Sequence, residues 1–456
     1  MSSNQSQSPT RARTPAGGLG RRIGGLARSR AAGAMVDQAA YSLQNFVVLF
    51  SALRLLPLAA LGEYTLTSTL VILVQTSIRS LVLEPLTIRF SGESTDSRRS
   101  ATGMAVGTSA SLGLFAVAGT VIWAVSGGSS GKLMVAAGIA LAVLLVQDGW
   151  RTALFAARRP WGTAANDALC LVATLAVLAV AVWRGHPGSA GVMLIWSAGT
   201  GVGAIFGAFQ LRVLPRLQAT VRWLRTQGDL GLRLVGSVLA QQLAGRTSLI
   251  IVSAWAGHAA LGLISASRTL VSPLSTLILA TFAFAVPEAV QRLKRSPRQL
   301  QLLTTMVSGA LLGATALLTV VLYFLPDRIG HLIAGHNWGA AHSLLIPTAL
   351  WIAGTAISQG ARIGLRVLDS ASTILSISVV LGVVLLAACA AGTFGWGATG
   401  AAWGFGLASI AGQVLWTIGY RRAISRWPGA GGSRTRRSRS RSSASRPRHA
   451  ADSPTD

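Results

Sequence analysis

The chain is short of charge, short of acid and nearly without cysteine, and each shortage excludes something. Only 12% of its 456 residues are charged, about half of what a soluble protein of this size carries. Asp and Glu number 13 against 40 Lys and Arg, a net charge of +27 that would suggest nucleic acid in a soluble protein and whose placement decides the reading here. Cys170 and Cys389 both sit in apolar runs without metal-ligand spacing and read as small core or lipid-facing residues. No metal and no cofactor is expected. The first 33 residues, rich in Ser, Gly and Arg, contain no compact apolar region followed by a cleavage site. They are expected to be a tail and not a signal peptide.

What the chain has in abundance is apolar runs long enough to cross a bilayer. Twelve spans are predicted, at 36–55, 63–86, 103–125, 133–153, 165–183, 191–211, 235–256, 260–286, 302–325, 341–360, 372–391 and 400–419. The expected fold is therefore an all-α polytopic membrane protein. With both termini placed in the cytoplasm, 32 of the 40 basic residues fall in inner loops and tails, as the positive-inside rule requires. Arg54, Lys132, Arg184 and Arg328 fall at outer loops, and Arg79, Arg151, Arg246 and Arg268 fall within spans. The outer loops are short, and their acids, Glu63 and Asp327, lack a paired carboxylate, which argues against a membrane glycosyltransferase. Residues 1–35 and 420–456 read as disordered basic cytoplasmic tails. Residues 36–211 and 235–419 form two six-span halves, joined by an Arg-rich amphipathic linker at 212–234 on the inner surface.

The halves repeat. "LGEYTLTSTLVILVQTSI" at 61–78 aligns with "LGLISASRTLVSPLSTLI" at 261–278 at a constant offset of 200, with identities at 61, 62, 69, 70, 71, 76 and 78. Pro85 and Pro287 close the second and eighth spans at nearly matching places. An even number of spans per half gives both halves the same orientation. The expected arrangement is a transporter with its site between halves related by an axis along the membrane normal.

Polar residues concentrate on the first two spans of each half. Asp37, Gln38, Tyr41, Gln44 and Asn45 share one face of the first span. The second carries Gln75 and Arg79, the seventh Gln241, Gln242 and Arg246, and the eighth Arg268. A charge at the centre of a lipid-exposed helix costs roughly 2.5–3.5 kcal/mol on insertion scales. These side chains are therefore expected to line a hydrophilic chamber and to bind substrate. Arginines at three depths suit an anionic group, because guanidinium holds phosphate through paired, charge-assisted hydrogen bonds. The competing explanation is that Ser, Thr and Gln join helices by hydrogen bonding, and for single Ser and Thr it is preferred.

Elsewhere the chemistry is plainer. Asp148 and Arg151, three residues apart, are expected to pair, and Asp167 to cap or pair at the start of the fifth span. "GTGVGAIFG" at 199–207 lacks a preceding strand, so its glycines signal close helix packing rather than a nucleotide loop. "RTRRSRSRSS" at 434–443 is expected to sit against an anionic leaflet. Membrane lipids are thus expected partners, and nucleic acid is not.

Three stretches, "DQAAYSLQNF", "SLVLEPLTIRF" at 80–90 and "QDGWRTALFAARRP" at 147–160, resemble the polysaccharide-biosynthesis flippases. That family belongs to the MATE-like multidrug/oligosaccharidyl-lipid/polysaccharide (MOP) exporter superfamily. The resemblance covers most of the membrane region and implies a V-shaped pair of six-helix bundles that open alternately to each side. It implies export of polyprenyl-(pyro)phosphate-linked oligosaccharide across the bacterial cytoplasmic membrane for cell-surface polysaccharide synthesis. A lipid-linked glycan is then the expected cargo. The alternative is a proton- or sodium-coupled exporter of cationic drugs, with Asp37 as its key carboxylate.

Overall fold

Helix accounts for every long element of the computed structural model, and no strand occurs among the described residues. Those residues are 16–185 and 187–427; side chains are described from residue 32 onward, apart from Ala240, Gln241, Ala244, Ala283 and Phe284. The tail residues 1–15 and 428–456, including the Arg/Ser-rich stretch, lie outside them. Helix α1 spans Ala16–Leu55. It therefore takes in residues 16–35, which composition had assigned to the tail; this stretch has no proline and carries five Ala and four Arg, good helix formers, beside six Gly.

Helix α2 runs over Leu58–Phe90. It contains a π-helical turn at Arg79–Leu83, closed by the Glu84 N–H donating to the Arg79 carbonyl. Pro85 follows at once. Proline cannot donate to the carbonyl four residues earlier, and a wider turn at that point accommodates the broken ladder. Helices α3 (Thr95–Val125), α4 (Gly131–Ala156), α5 (Pro160–Arg184) and α6 (Ser189–Leu211) follow. The Ser94 side chain caps α3 by accepting from the Ser97 N–H, and Pro160 opens α5 at a position where its missing N–H costs nothing.

One continuous helical run, Thr220–Arg295, is broken at Gly257, whose φ of +84° is open to glycine and strained for other residues. Residues 220–256 form α7 and 258–295 form α8. Next come α9 (Pro297–Tyr323) and α10 (Leu345–Val367), with two short helices, Asp327–Ala334 and Trp338–Ser343, before α10. A last run, Ala371–Ser425, breaks at Trp396 and Gly397 into α11 (371–395) and α12 (398–425). Among the described residues eight helices are by length and composition able to cross a membrane, or nine if the pair bent by 81° that ends in α10 counts as one span. Two of the eight are the runs broken at Gly257 and Gly397. Divided there, and with the more polar α1 included, the described residues hold twelve long helical segments. The chain is an all-α multi-pass membrane protein.

Contacts divide the chain into two units, and neither is continuous in sequence. The first takes residues up to 48 together with 74–236, and the second takes 49–73 together with 237 onward. In the first, α4 packs against α3 and α6, and α5 against α6. The segment read as a linker is helical from Thr220 and belongs to this unit. Trp223 is buried there and donates its indole N–H to the Val82 carbonyl (3.2 Å) in the π-helical turn. Arg89 ties the same segment down through Gln227 (2.7 Å) and Asp229 (2.9 Å). The guanidinium bonded to Asp229 holds that carboxyl below the usual carboxylate range.

In the second unit α10 packs against α9, α11 and α12. Here the repeat takes physical form. A Cβ on Gly62 would lie 1.7 Å from the His258 carbonyl oxygen, and one on Gly262 would lie 1.9 Å from that of Leu58. One turn on, Thr65 donates to Ser265 at 2.8 Å. Residues 58, 62 and 65 thus meet 258, 262 and 265 in a pseudo-twofold helix crossing, and the offset of 200 is the offset between facing residues. Only glycine lets the backbones approach this closely. The aligned Leu61 and Leu261 are fully buried beside it.

Candidate functional site

The polar stripe of α1 has partners within the first unit. Asp37 is 1% exposed. It accepts hydrogen bonds from Arg151 Nη2 (2.5 Å) and Nε (3.4 Å) on α4. Arg151 Nε also lies 3.1 Å from Asp167 Oδ2 on α5, so one guanidinium serves two carboxylates. Tyr41 places its ring under the same guanidinium, with Cζ 4.4 Å from the ring centroid. One turn further along α1, Gln44 is buried and donates to Thr174 (3.0 Å) on α5 and Thr200 (3.2 Å) on α6. Gln38 donates to Ser42 and Asn45 to the Tyr41 carbonyl, both within α1.

Arg79, at the start of the π-helical turn, donates to Asp148 on α4 at 2.7 Å. The expected pair between Asp148 and Arg151 is therefore corrected. Both are ion-paired, but Asp148 to α2 and Arg151 to α1 and α5. A spacing of three residues on one helix does not decide the pairing when stronger partners stand on neighbouring helices. Around the ion pairs lies an amide network. Gln147 donates to Asp167 (2.9 Å) and Asn166 (3.3 Å), and Asn166 donates to the Gly203 carbonyl (2.9 Å) and to Gln210 (3.2 Å). Gly203 allows this approach, since a Cβ there would meet Cys170 Sγ and Asn166 Oδ1. Breaking such a buried ion pair from one side costs about 3–5 kcal/mol.

In the second unit Arg246 and Arg268 have no such partners among the described residues. Arg268 on α8 lies between two rings, with Cζ 4.4 Å from the Trp351 centroid and 4.3 Å from that of Phe405. Neither an ion pair nor a hydrogen bond is recorded for it among the described residues. Among the described residues, Arg246 on α7 donates to Gln242, one turn earlier, at 3.5 Å. Gln75 is buried in the first unit, and the side chain of Gln241 lies outside the described residues. The predicted residues therefore divide: Asp37, Gln38, Tyr41, Gln44, Asn45, Gln75 and Arg79 belong to the first unit, Gln242, Arg246 and Arg268 to the second.

Sequence reasoning gave no part in the site to Arg151 and Asp167, which organise the first unit, or to Trp351 and Phe405, which hold Arg268. The clustering of Gln147, Asp148 and Arg151 with Asn166 and Asp167 across one short turn was the available signal. Two aromatics in apolar spans carry none.

No protein-family model matches the chain, and no curated protein does. Solved structures do. A lipid II flippase, MurJ, in an inward closed conformation superposes with a TM-score of 0.61 at 11% identity, covering 87% of this chain and 89% of its own. An inward-facing multidrug-resistance MATE transporter of the MOP superfamily superposes at 0.64 and 13% identity, covering 86% and 98%. A MOP-superfamily transporter from Pyrococcus furiosus, described by a binding pocket of reversed polarity, gives 0.56 and 13%, covering 87% and 94%. At such identities the likeness is one of fold. The chain is thus a helical membrane protein that shares the fold of these MurJ and MATE structures.

Proposed function

We propose that the chain is a MOP-type transporter, not an enzyme, that moves polyprenyl-(pyro)phosphate-linked oligosaccharide across the cytoplasmic membrane by alternating access. Arg268 carries this reading. It is a half-buried cation held by two aromatic rings, its N–H edges uncommitted among the described residues, and none of its unit's described acids, Glu63, Glu288, Asp327 and Asp369, pairs with it. Stacking occupies the face of a guanidinium and leaves its fork free for an anion. Asp37, the carboxylate a cation exporter would need, is engaged by Arg151. One structural neighbour is named as a lipid II flippase, and another for a pocket of reversed polarity. In this reading Arg246 and Arg268 of the second unit meet the phosphate and Gln242 a sugar hydroxyl, while Arg79, held by Asp148, belongs to the frame of the first unit. Both termini are cytoplasmic, with the basic tails against the anionic leaflet.

Arg268→Ala should abolish complementation of a glycan-export defect, with the lipid-linked intermediate accumulating on the inner leaflet, and Arg268→Lys should rescue only part. Full activity of Arg268→Ala would end the proposal. Outside labelling of a cysteine placed at Thr226, in a background free of Cys170 and Cys389, would overturn the orientation. The drug-exporter reading retains one supporting observation: Asp37 and Asp167 share a single arginine, which leaves one negative charge in excess for a proton. It predicts loss of cationic-dye efflux in Asp37→Asn with normal surface glycan. The flippase reading predicts surface glycan largely retained in Asp37→Asn and dye resistance unchanged.

A further inference from the structure

Helix α10 continues to Val367, past residue 360 where its apolar pattern stops, and so carries Arg362 and Arg366 one turn apart on one face. Apolar patterning had left both in a loop. Neither forms an ion pair among the described residues. Within the second unit, Glu288 is bonded to Arg292 (2.7 Å) and Asp327 accepts from Trp338 (3.0 Å). Asp369, three residues after Arg366, does not pair with it. Each arginine instead rests on a ring: Arg362 Cζ lies 4.7 Å from the Trp416 centroid, and Arg366 Cζ lies 5.0 Å from that of Phe282.

These four side chains line one cavity of about 350 Å³ inside the second unit. Arg362 Nε and Trp416 Nε1 are both buried without a hydrogen-bond partner. Both are donors, so what would satisfy them is an acceptor. Arg366, near the C-terminal end of α10, is explained by itself as an interfacial anchor, but Arg362 lies a turn deeper with its Nε out of reach of solvent. The remaining wall is largely apolar, with Ile374, Leu381 and Leu385 along one face of α11 and Gly245 on α7. A space with two cations and an indole N–H at its polar part, and hydrocarbon beyond, fits one ligand chemistry.

We infer that this cavity binds a phosphate group, with the Arg362 and Arg366 forks and the Trp416 N–H meeting its oxygens. A phosphate monoester presents three unsubstituted oxygens, enough for two guanidinium forks and one further donor. The apolar wall suits a phosphate carried at the head of a lipid, and free phosphate offers the same oxygens without the chain. The site is independent of the cargo proposed above, because none of its residues belongs to the substrate set given there.

The test is thermal unfolding of the full chain in a neutral detergent. Dioleoyl phosphatidic acid, dioleoyl phosphatidylcholine or millimolar inorganic phosphate is added to separate samples. Phosphatidic acid well above its Kd should raise Tm by roughly 5 °C, and phosphatidylcholine should leave it unchanged. An equal rise with inorganic phosphate identifies the free anion as the ligand, and a rise confined to phosphatidic acid identifies the lipid. The shift should vanish in the Arg362→Gln/Arg366→Gln double variant. It should vanish equally in Gly245→Leu, which keeps both arginines. A Cβ at Gly245 meets nothing within 4 Å, so a larger side chain there has open space to enter and takes up part of the cavity. No rise in the wild type with either phosphate probe, or a full rise in the double variant, would overturn the site. Loss in the double variant with a full rise in Gly245→Leu would place the anion on the surface and overturn the cavity.

Discussion

The two units tolerate charge inside the membrane by different means. The first buries three carboxylates, Asp37, Asp148 and Asp167, and ties them to Arg79 and Arg151 across four helices. The second leaves Arg268, Arg362 and Arg366 without an ion pair among the described residues and rests them on aromatic rings. Pairing satisfies both partners and leaves little for a ligand. Stacking partly compensates the charge and leaves the donating edge open. An ion-paired unit is thus a rigid frame, and a ring-stacked unit is a place for an anion to bind. The comparison also explains why identical residue types at similar positions in the repeat need not share a role.

The largest effect expected from this contrast is on stability. Arg151→Met leaves Asp37 and Asp167 buried without their cation and should cost about 3–5 kcal/mol, measured by thermal unfolding in detergent. Arg268→Met orphans no carboxylate, and its loss of ring contact should cost no more than about 1 kcal/mol. Equal losses in the two variants would dissolve the comparison.

Next in size is the crossing within the second unit. Gly62→Leu and Gly262→Leu each drive a side chain into a facing backbone carbonyl, at a cost of about 2–3 kcal/mol. The two should match, because the contacts are pseudo-symmetric. A loss in one alone would show that the repeat survives in sequence without equivalence in energy.

Asp37→Asn should cost about 1–2 kcal/mol, less than Arg151→Met, since Arg151 keeps Asp167. An effect as large as that of Arg151→Met would mean that Asp37, and not the arginine, is the centre of the network.

The smallest effect concerns the tie between Arg89 and Asp229 at the edge of the first unit. The Asp229 carboxyl is held below its ordinary range by Arg89. Its contribution is therefore fully present above the ordinary carboxylate pKa and is lost as pH falls through the depressed one. Proteolysis within 212–234 should quicken over that acidic window in the wild type. In Arg89→Ala the same rate should already hold at neutral pH. A pH-independent rate in the wild type would remove the tie from the account.

Much of the architecture is legible in the sequence alone. The expected gap between the seventh and eighth spans, 257–259, contains the break at Gly257, and that between the last two contains Trp396 and Gly397. Apolar run length and glycine both act locally, so a linear reading finds them. The offset of 200 was legible for a similar reason, since facing helices in a repeat must keep their small residues in register. The end of α10 was not, because Arg362 and Arg366 look like loop charges until a ring is known to lie beside each.

The sequence by itself determined the helices, their apolar faces, the repeat, and the fact that α1 turns Asp37, Tyr41 and Gln44 to one side. A period of 3.6 residues is a property of one chain segment, and it names a face. It does not name what stands opposite. That Arg151 comes from α4 to meet Asp37, that Thr174 and Thr200 converge on Gln44, and that Trp351 and Phe405 close around Arg268 depend on how distant helices pack. The same holds for the division of α1 and α2 between two units at residues 48 and 73. Those choices rest on side-chain pairings 60 to 160 residues apart, roughly, and only the tertiary structure brings such pairs within reach.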